Sequence, residues 1–544
     1  MIARLIVIGL ALLGLTANAS ALPPQTRTAL EALFAEQGAP DAPGLAMGVV
    51  RDGEVVFEAY GGLADLNHGV PIDAQTRFNI ASNTKQYAAL AVLELVEAGE
   101  IDLGADIRTY LADALPGIEA EISIAQLIVH ESGLRDSSEL WGLQGRTWWR
   151  HFFGNDDAME LLNAQTDLNF APGTDAIYSN SNYTVLAELV AAVSGQSFAD
   201  YSADMFDRLG MENSRYRTSS FAVVPNVARP YGNFGSWAEY PTITSVHGDG
   251  ALYTTLGDQL TYERALQSED RSALLTLSQG RVPGAQRSDY GFGLELGGFE
   301  DLPVIHHEGS TGAYNAFFLR FPGEDLAIVV MSNNAGLSPR SIGLRAAQLI
   351  LGEERFSGAI YRVAPDEIGL SPALDTLVGA YAQPNDTTLI RVTLTEGVLS
   401  REIEGRDPVV LNPVEGNVFE YASLEGLFAV FGESEAGSYM ELIYPTQSPS
   451  RYYRIPDADF VSREIEFSGR FINAEIGAEI ILSDSEEGPV MTLNGNTSPL
   501  EPATARRFIA NGSVLELDVD ADGQITGFAL NWDRIRNVAF ARVP

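Results

Sequence analysis

The chain has 544 residues, 34 Lys and Arg against 73 Asp and Glu, a formal net charge of −39 and no cysteine. At roughly 100–200 residues per domain, that length divides into about two to four domains, each able to bury its own core. Without thiols, disulfides, thiolate metal sites, iron–sulfur clusters and cysteine nucleophiles are excluded. The negative charge repels phosphate backbones and anionic lipid, which argues against nucleic-acid and membrane-surface partners.

In residues 1–21, Arg4 precedes the apolar run Leu5 to Leu15, followed by small residues at Ala17, Ala19 and Ala21. This is the pattern of a signal peptide, with an apolar run too short to span a bilayer. No Cys follows it to accept a lipid, so the expected mature protein is exported and soluble, in a periplasm or outside the cell. Ala46–Val50 and Glu54–Tyr60 flank the hairpin dipeptide Asp52-Gly53 and predict a strand pair. Asn83 to Ala98, rich in Ala, Leu and Val and closed by Gly99, predicts a buried helix. A second helix is expected from Tyr183 to Val193, stopped near Gly195. Val304–Gly309, Phe317–Pro322 and Leu326–Ser332 read as consecutive strands, and Arg340 to Leu351 as a helix returning over the sheet. Helices and antiparallel strands thus mix in one α/β domain spanning 22–365.

Past the Pro-containing stretch Ala364 to Pro372 the helical periodicity disappears and short β-type runs take over. Val378-Gly379-Ala380-Tyr381 is echoed by Ser468-Gly469-Arg470-Phe471, and Val418-Phe419 by Arg507-Phe508, so one all-β unit is expected twice, over 373–457 and 460–544. Alternation from Thr388 to Leu394 suits small antiparallel barrels. Asp518-Val519-Asp520-Ala521-Asp522-Gly523 begins like a calcium loop, but the twelfth position is Ala529 where a bidentate Glu is required, so an acidic hairpin turn is expected.

The cations carry the functional signal, because 33 are arginines and one is a lysine, Lys85. Guanidinium stays protonated, whereas a desolvated ammonium can give up its proton. Lys85 closes Ser82-Asn83-Thr84-Lys85, an S-x-x-K at the start of the buried helix, where three-residue spacing puts both side chains on one face. Lys85 is therefore the candidate general base for a Ser82 nucleophile. In Tyr178-Ser179-Asn180 a loop delivers a phenol and an amide just before the next helix, and a phenol beside an amine can relay protons. Tyr231-Gly232-Asn233 matches the same pattern in a Gly-rich loop with no helix after it and is set aside. His307-Glu308-Gly309-Ser310 is the third element, its Gly309 read as letting a substrate backbone approach the strand. His306 is expected on the opposite strand face, and His68, His130, His151 and His247 are read as structural.

In order and spacing these elements resemble the three motifs of the serine β-lactamase and penicillin-binding-protein superfamily, in its class C-like branch. The resemblance covers about residues 26–355, including Leu127–Leu134 and Gly250–Asp258. It implies a β-lactamase-like α/β fold, Ser82 as the acylated nucleophile, Lys85 as base, Tyr178 as relay, Asn180 as positioner and His307 as the third-motif residue. The amide of Ser310 would join that of Ser82 in an oxyanion hole. True class C enzymes carry Lys where this chain has His307, and an H-x-G motif instead resembles D-aminopeptidases and some DD-carboxypeptidases and esterases. With two barrels behind the hydrolase domain, the chain resembles the bacterial D-aminopeptidase architecture, in which a loop of the last barrel reaches the active site. The expectation is a secreted serine hydrolase acting on a small peptide, amide or ester substrate, with no cofactor, no metal, no nucleic acid and no membrane after signal cleavage. The alternatives are an esterase, a DD-carboxypeptidase, or a catalytically weak peptide- or penicillin-binding module.

Overall fold

The computed structural model describes residues 22–299, 302–361, 363, 367–383, 389–403, 407–424, 426–434, 437–445, 449–455, 465–502 and 504–543. The expected export segment, residues 1–21, lies outside them. The hydrolase unit is built on a six-stranded antiparallel sheet, in the order Glu295–Phe299, Leu302–Thr311, Tyr314–Phe321, Leu326–Ser332, Leu45–Arg51, Glu54–Gly61. Both faces are covered, so its central strands read as continuous apolar runs instead of alternating ones. Ala327, Val329 and Met331 face a core shared with helices Lys85–Glu97 and Asn180–Ser194. Leu326, Ile328 and Val330 point the other way, toward helix Pro339–Leu351 and Leu30 of helix Pro24–Gln37. The strand and helix expectations fall on these elements, with Asn180–Ser194 starting three residues earlier than its apolar pattern because Ser179-Asn180-Ser181-Asn182 forms its polar first turn. Gly195 ends that helix at φ 70°, a left-handed conformation in which the missing Cβ removes the steric penalty.

The C-terminal part is all β. Eight strands from Gly379–Ala382 to Ser450–Ile455 form a closed barrel. The second unit is a nine-stranded antiparallel sheet whose end strands, Asn496–Pro499 and Glu501–Pro502, are separated in the chain only by Leu500, so the sheet must curl until its edges nearly meet. The internal repeat is structural: Tyr381 and Phe471 are the buried aromatics of the two opening strands. The acidic run 518–523 is the turn between strands Ser513–Val519 and Ile525–Trp532, where Asp520 Oδ1 accepts from the backbone of Asp522 and Gln524.

The nine-stranded sheet docks on the hydrolase unit through the turn joining strands Ile525–Trp532 and Ile535–Arg542. Buried Arg135 donates to Arg536 O at 3.0 Å and to Asn537 O at 2.9 Å, and pairs with Glu475 at 3.1 Å. Asn169 donates to Arg534 O at 3.0 Å and accepts from Arg536 N at 2.6 Å. These bonds satisfy turn carbonyls and amides that would otherwise be buried unpaired, and they fix residues 532–537 at the mouth of the cavity described next.

Candidate active site

Ser82 sits in a single 3-10 turn, Ala81–Thr84, that runs directly into helix Lys85–Glu97. Ala81 adopts φ 47°, an uncommon conformation for a residue with a Cβ, and its N–H is held by Asn79 Oδ1 at 2.9 Å. The turn presents Ser82 at the cavity wall while Lys85 is wholly buried beneath it. Lys85 Nζ lies 3.1 Å from Ser82 Oγ, 2.9 Å from Asn180 Oδ1 and 3.0 Å from the carbonyl of Asp249. The last two atoms can only accept. A neutral amine therefore commits its two N–H bonds to them and turns its lone pair toward the Ser82 hydroxyl.

Lys85 Nζ also stands 4.9 Å from the centroid of the Tyr178 ring. The phenol is packed by His130 at 4.3 Å and by His307 at 6.2 Å between ring centroids. Tyr178 and Asn180 are positioned together because Ser179 is the N-cap of their helix and Asn180 N–H is held by Asp136 Oδ2 at 2.8 Å. Five sequence-predicted residues, Ser82, Lys85, Tyr178, Asn180 and His307, thus converge. The set-aside Tyr231 instead accepts a bond from Leu66 N–H on the strand Tyr231–Asn233.

His307 is held as one tautomer. Its Nδ1 lies 2.7 Å from the carbonyl of Glu308, which can only accept, so Nδ1 carries the proton and Nε2 accepts from Tyr290 O–H at 3.1 Å. Burial, partly offset by Glu295, pushes its pKa down to about 4, so the ring is neutral at pH 7. His306 faces away, as strand alternation requires, and is pushed down to about 3 by burial and by Arg340. An imidazole that titrates near 6.5 when unfolded but only near 3 when folded contributes stability above pH 6.5 that is lost as pH falls toward 3. The Tm gap between the wild-type chain and His306→Gln is accordingly expected to shrink steadily from pH 7 to pH 4. A gap independent of pH would show that His306 binds its proton equally well folded and unfolded, so that burial does not depress it.

Gly309 has a different reason from the one its sequence context suggests. A Cβ there would come within 2.3 Å of Ile80 O and 3.0 Å of Ser82 N, so the space above it is filled by the turn that carries Ser82. The missing side chain is what brings the Ser310 and Ser82 segments together at one cavity wall. Gly309→Ala is expected to force these backbones apart, costing about 1–3 kcal/mol in stability and, by misplacing an oxyanion donor, roughly 100-fold in kcat. Urea unfolding and steady-state rates on one sample test both. Past His306 the strand pairing with Glu295–Phe299 stops, which leaves His307–Thr311 as an open sheet edge beside Ser82.

Sequence reasoning missed four contributors. His130, read as structural, lies against Tyr178, and Tyr290 anchors His307. Asp249 supplies the carbonyl that binds Lys85, and its buried Oδ1 has no partner. Burial, partly offset by Lys85, pushes the Asp249 carboxyl up to about 6. Arg534, on the docked turn of the last sheet, reaches to 5.1 Å from the Tyr178 ring and 3.6 Å from Asp136. It brings a loop of the last sheet to the cavity wall, a position that no sequence pattern marked.

Ser82 opens into a cavity of about 480 Å³ at the junction of the hydrolase unit and the last sheet, lined among others by Asn180, Ser310, Glu139 and Arg534. Burial and the neighbouring carboxylates of Asp136 and Asp533 push Glu139 up to about 8. Among the described residues no group of three or more His, Asp or Glu is arranged to hold a metal.

Comparison with known proteins matches this architecture. The D-aminopeptidase of Gluconobacter oxydans is 29% identical over 301 residues, 54% of this chain and 56% of that protein. The D-aminopeptidase of Cereibacter sphaeroides strain KD131 is 25% identical over 534 residues, 92% of this chain and 96% of that one. The matched region spans 56–61% of the length of the Gluconobacter protein and of two other Cereibacter D-aminopeptidases. Among solved structures, the octameric penicillin-binding protein homologue from Pyrococcus abyssi shares the fold, with a TM-score of 0.55 at 21% identity over 79% of this chain and 99% of its own. Residues 30–352, more than half of the sequence and all of the elements that carry Ser82, Lys85, Tyr178 and His307, match the family described as Beta-lactamase, and the chain belongs to that family.

Proposed function

We propose that this chain is an exported serine hydrolase that cleaves amide bonds of small peptides through an acyl-enzyme, in the manner of a D-aminopeptidase. The observation that carries the reading is the placement of Lys85 Nζ, 2.9 and 3.0 Å from two fixed acceptors and 3.1 Å from Ser82 Oγ, where a deprotonated amine would receive the hydroxyl proton. Ser82 Oγ attacks the carbonyl carbon as its proton passes to Lys85 Nζ, and the developing oxyanion is held by the N–H groups of Ser82 and Ser310. Tyr178 hands a proton to the departing amine, and water then releases the acyl group with the proton path reversed. Asn180, its oxygen engaged by Lys85, keeps its Nδ2 donors for substrate, and the open edge His307–Thr311 offers backbone pairing. Glu139 in the cavity wall, pushed up to about 8, is largely neutral at pH 7 and offers a substrate ammonium a hydrogen-bond acceptor instead of a full charge. The pattern in residues 1–21 supports export.

Arg534 favours a second reading. A guanidinium in the cavity wall beside Tyr178 suits a substrate carboxylate, as a DD-carboxypeptidase requires. Purified protein is tested on D-alanine amide, D-Ala-D-Ala peptides and short acyl esters, with intact mass after a fluorophosphonate. Adduct formation at Ser82 with turnover of the amide supports the proposal. Turnover of D-Ala-D-Ala alone moves the assignment to a carboxypeptidase and ester turnover alone to an esterase, while no adduct leaves only a binding module.

A further inference from the structure

Four of the five tryptophans in the sequence, Trp141, Trp148, Trp149 and Trp532, line the single cavity that holds Ser82. Two of them are explained by packing. Trp141 stacks on Phe153 at 3.9 Å with its ring almost parallel, in the core that joins the last sheet. Trp532 lies over Gly142, where a Cβ would stand 3.1 Å from its ring.

Trp148 and Trp149 have no such explanation. Their rings meet edge to face at 4.8 Å, and Tyr240 joins them at 5.5 and 6.5 Å. None of the three belongs to a hydrophobic core, and Trp149 is 39% exposed. Leaving three large aromatic rings beside water costs hydrophobic free energy that folding alone does not recover. Main-chain bonds nevertheless fix them: Ile243 N–H donates to Trp148 O at 3.0 Å and Ala313 N–H to Tyr240 O at 2.9 Å. A Cβ on Gly312 would come within 2.4 Å of Tyr240 O, so the Ser310–Gly312 segment and this aromatic wall are built against each other.

The placement of Tyr178 says which part of a substrate meets that wall. Half-buried Tyr178 packs against Lys85, His130 and Arg534, at the end of the site away from that aromatic wall. The leaving nitrogen must sit toward the phenol that protonates it, so the part of the cavity walled by Trp148, Trp149 and Tyr240, rings that pack on one another while Tyr178 packs on His130, Tyr290 and His307, is assigned to the acyl portion. The argument rests on the acyl-enzyme reading above. A volume of about 480 Å³ greatly exceeds the methyl group of alanine and accommodates an aromatic side chain with its polar neighbours.

We propose that this cavity is an acyl-side specificity pocket for substrates whose acyl residue carries an aromatic side chain, with Trp148 and Tyr240 as specificity-determining residues. The test compares the full chain on para-nitroanilides of phenylalanine, tryptophan and alanine, in both D and L series, so that the leaving group is constant. The expected result is kcat/KM about tenfold or more higher for an aromatic than for the alanine substrate of the same configuration. In Trp148→Ala and Tyr240→Ala that ratio is expected to collapse toward one, while Trp237→Ala, outside the cavity, keeps it. Equal rates, a preference for alanine, or a ratio untouched by both variants would overturn the proposal. Labelling of Ser82 by phosphonates bearing a benzyl or a methyl group separates the two levels. Faster labelling by benzyl supports the pocket even when no anilide turns over, and equal labelling overturns it. No labelling by either defeats the acyl-enzyme reading itself.

Discussion

Lys85→Arg is expected to leave the fold intact by circular dichroism and to lower kcat/KM for any amide substrate by roughly 1,000-fold or more. Charge is conserved in this substitution, so the loss isolates the proton. Guanidinium cannot give one up, and its planar fork cannot place a lone pair toward Ser82 Oγ while meeting Asn180 and the Asp249 carbonyl. Because Lys85 is fully buried, the longer side chain risks a packing fault, and Lys85→Met serves as the second variant, apolar and similar in length. Both are expected to lose fluorophosphonate labelling of Ser82 in parallel with turnover. Retention of a tenth of wild-type activity by either variant would remove Lys85 from the role of base.

The contrast between what the sequence revealed and what it hid follows from the range of the interactions. Ser82 and Lys85 are legible because a helix converts a spacing of three into contact, and because a chain of 33 arginines keeps one lysine. The strand Leu326–Ser332 is recognisable from its continuous apolar run, since burial on both faces removes alternation. The Gly309 glycine was visible while its reason was not: only the fold shows that Ile80 and Ser82 occupy the space above it. Arg534 and Trp532 carry no local signature, because a turn between two surface strands looks the same in sequence whether it meets solvent or another unit's cavity. Arg135 shows the same limit, as its partners lie some 400 residues away in the chain.

His130, read from sequence as structural, is a buried hydrogen-bonding residue, and its place beside Tyr178 yields the second large prediction. A lone histidine in an apolar segment carries no sequence sign of convergence, yet both neighbours of Tyr178 are tied to it. Its carbonyl accepts from Ile177 N–H at 3.2 Å, and its Nδ1 accepts from Ser179 N–H at 3.2 Å and from Asn182 Nδ2 at 3.0 Å. Nδ1 therefore carries no proton, and burial together with Arg287 and Lys85 holds the ring's pKa well below the ordinary histidine range. The residue also sits at φ 64°, where a side chain is strained unless it can be accommodated locally. His130→Ala is expected to cost about 2–4 kcal/mol in stability through the cavity and the unsatisfied Ser179 N–H, and roughly 100-fold in kcat as Tyr178 loses its support. His130→Asn separates these causes, since Asn Oδ1 is bonded to Cγ as Nδ1 is, accepts the same hydrogen bond and tolerates left-handed backbone. It is expected to recover most of kcat while still lacking the ring. A residue that merely filled space would show the reverse order, with both variants losing stability and neither losing kcat below its Tm. Fluorophosphonate labelling, which expels fluoride and needs no proton from Tyr178, is expected to survive in both variants and to place the defect at the leaving amine rather than at Ser82.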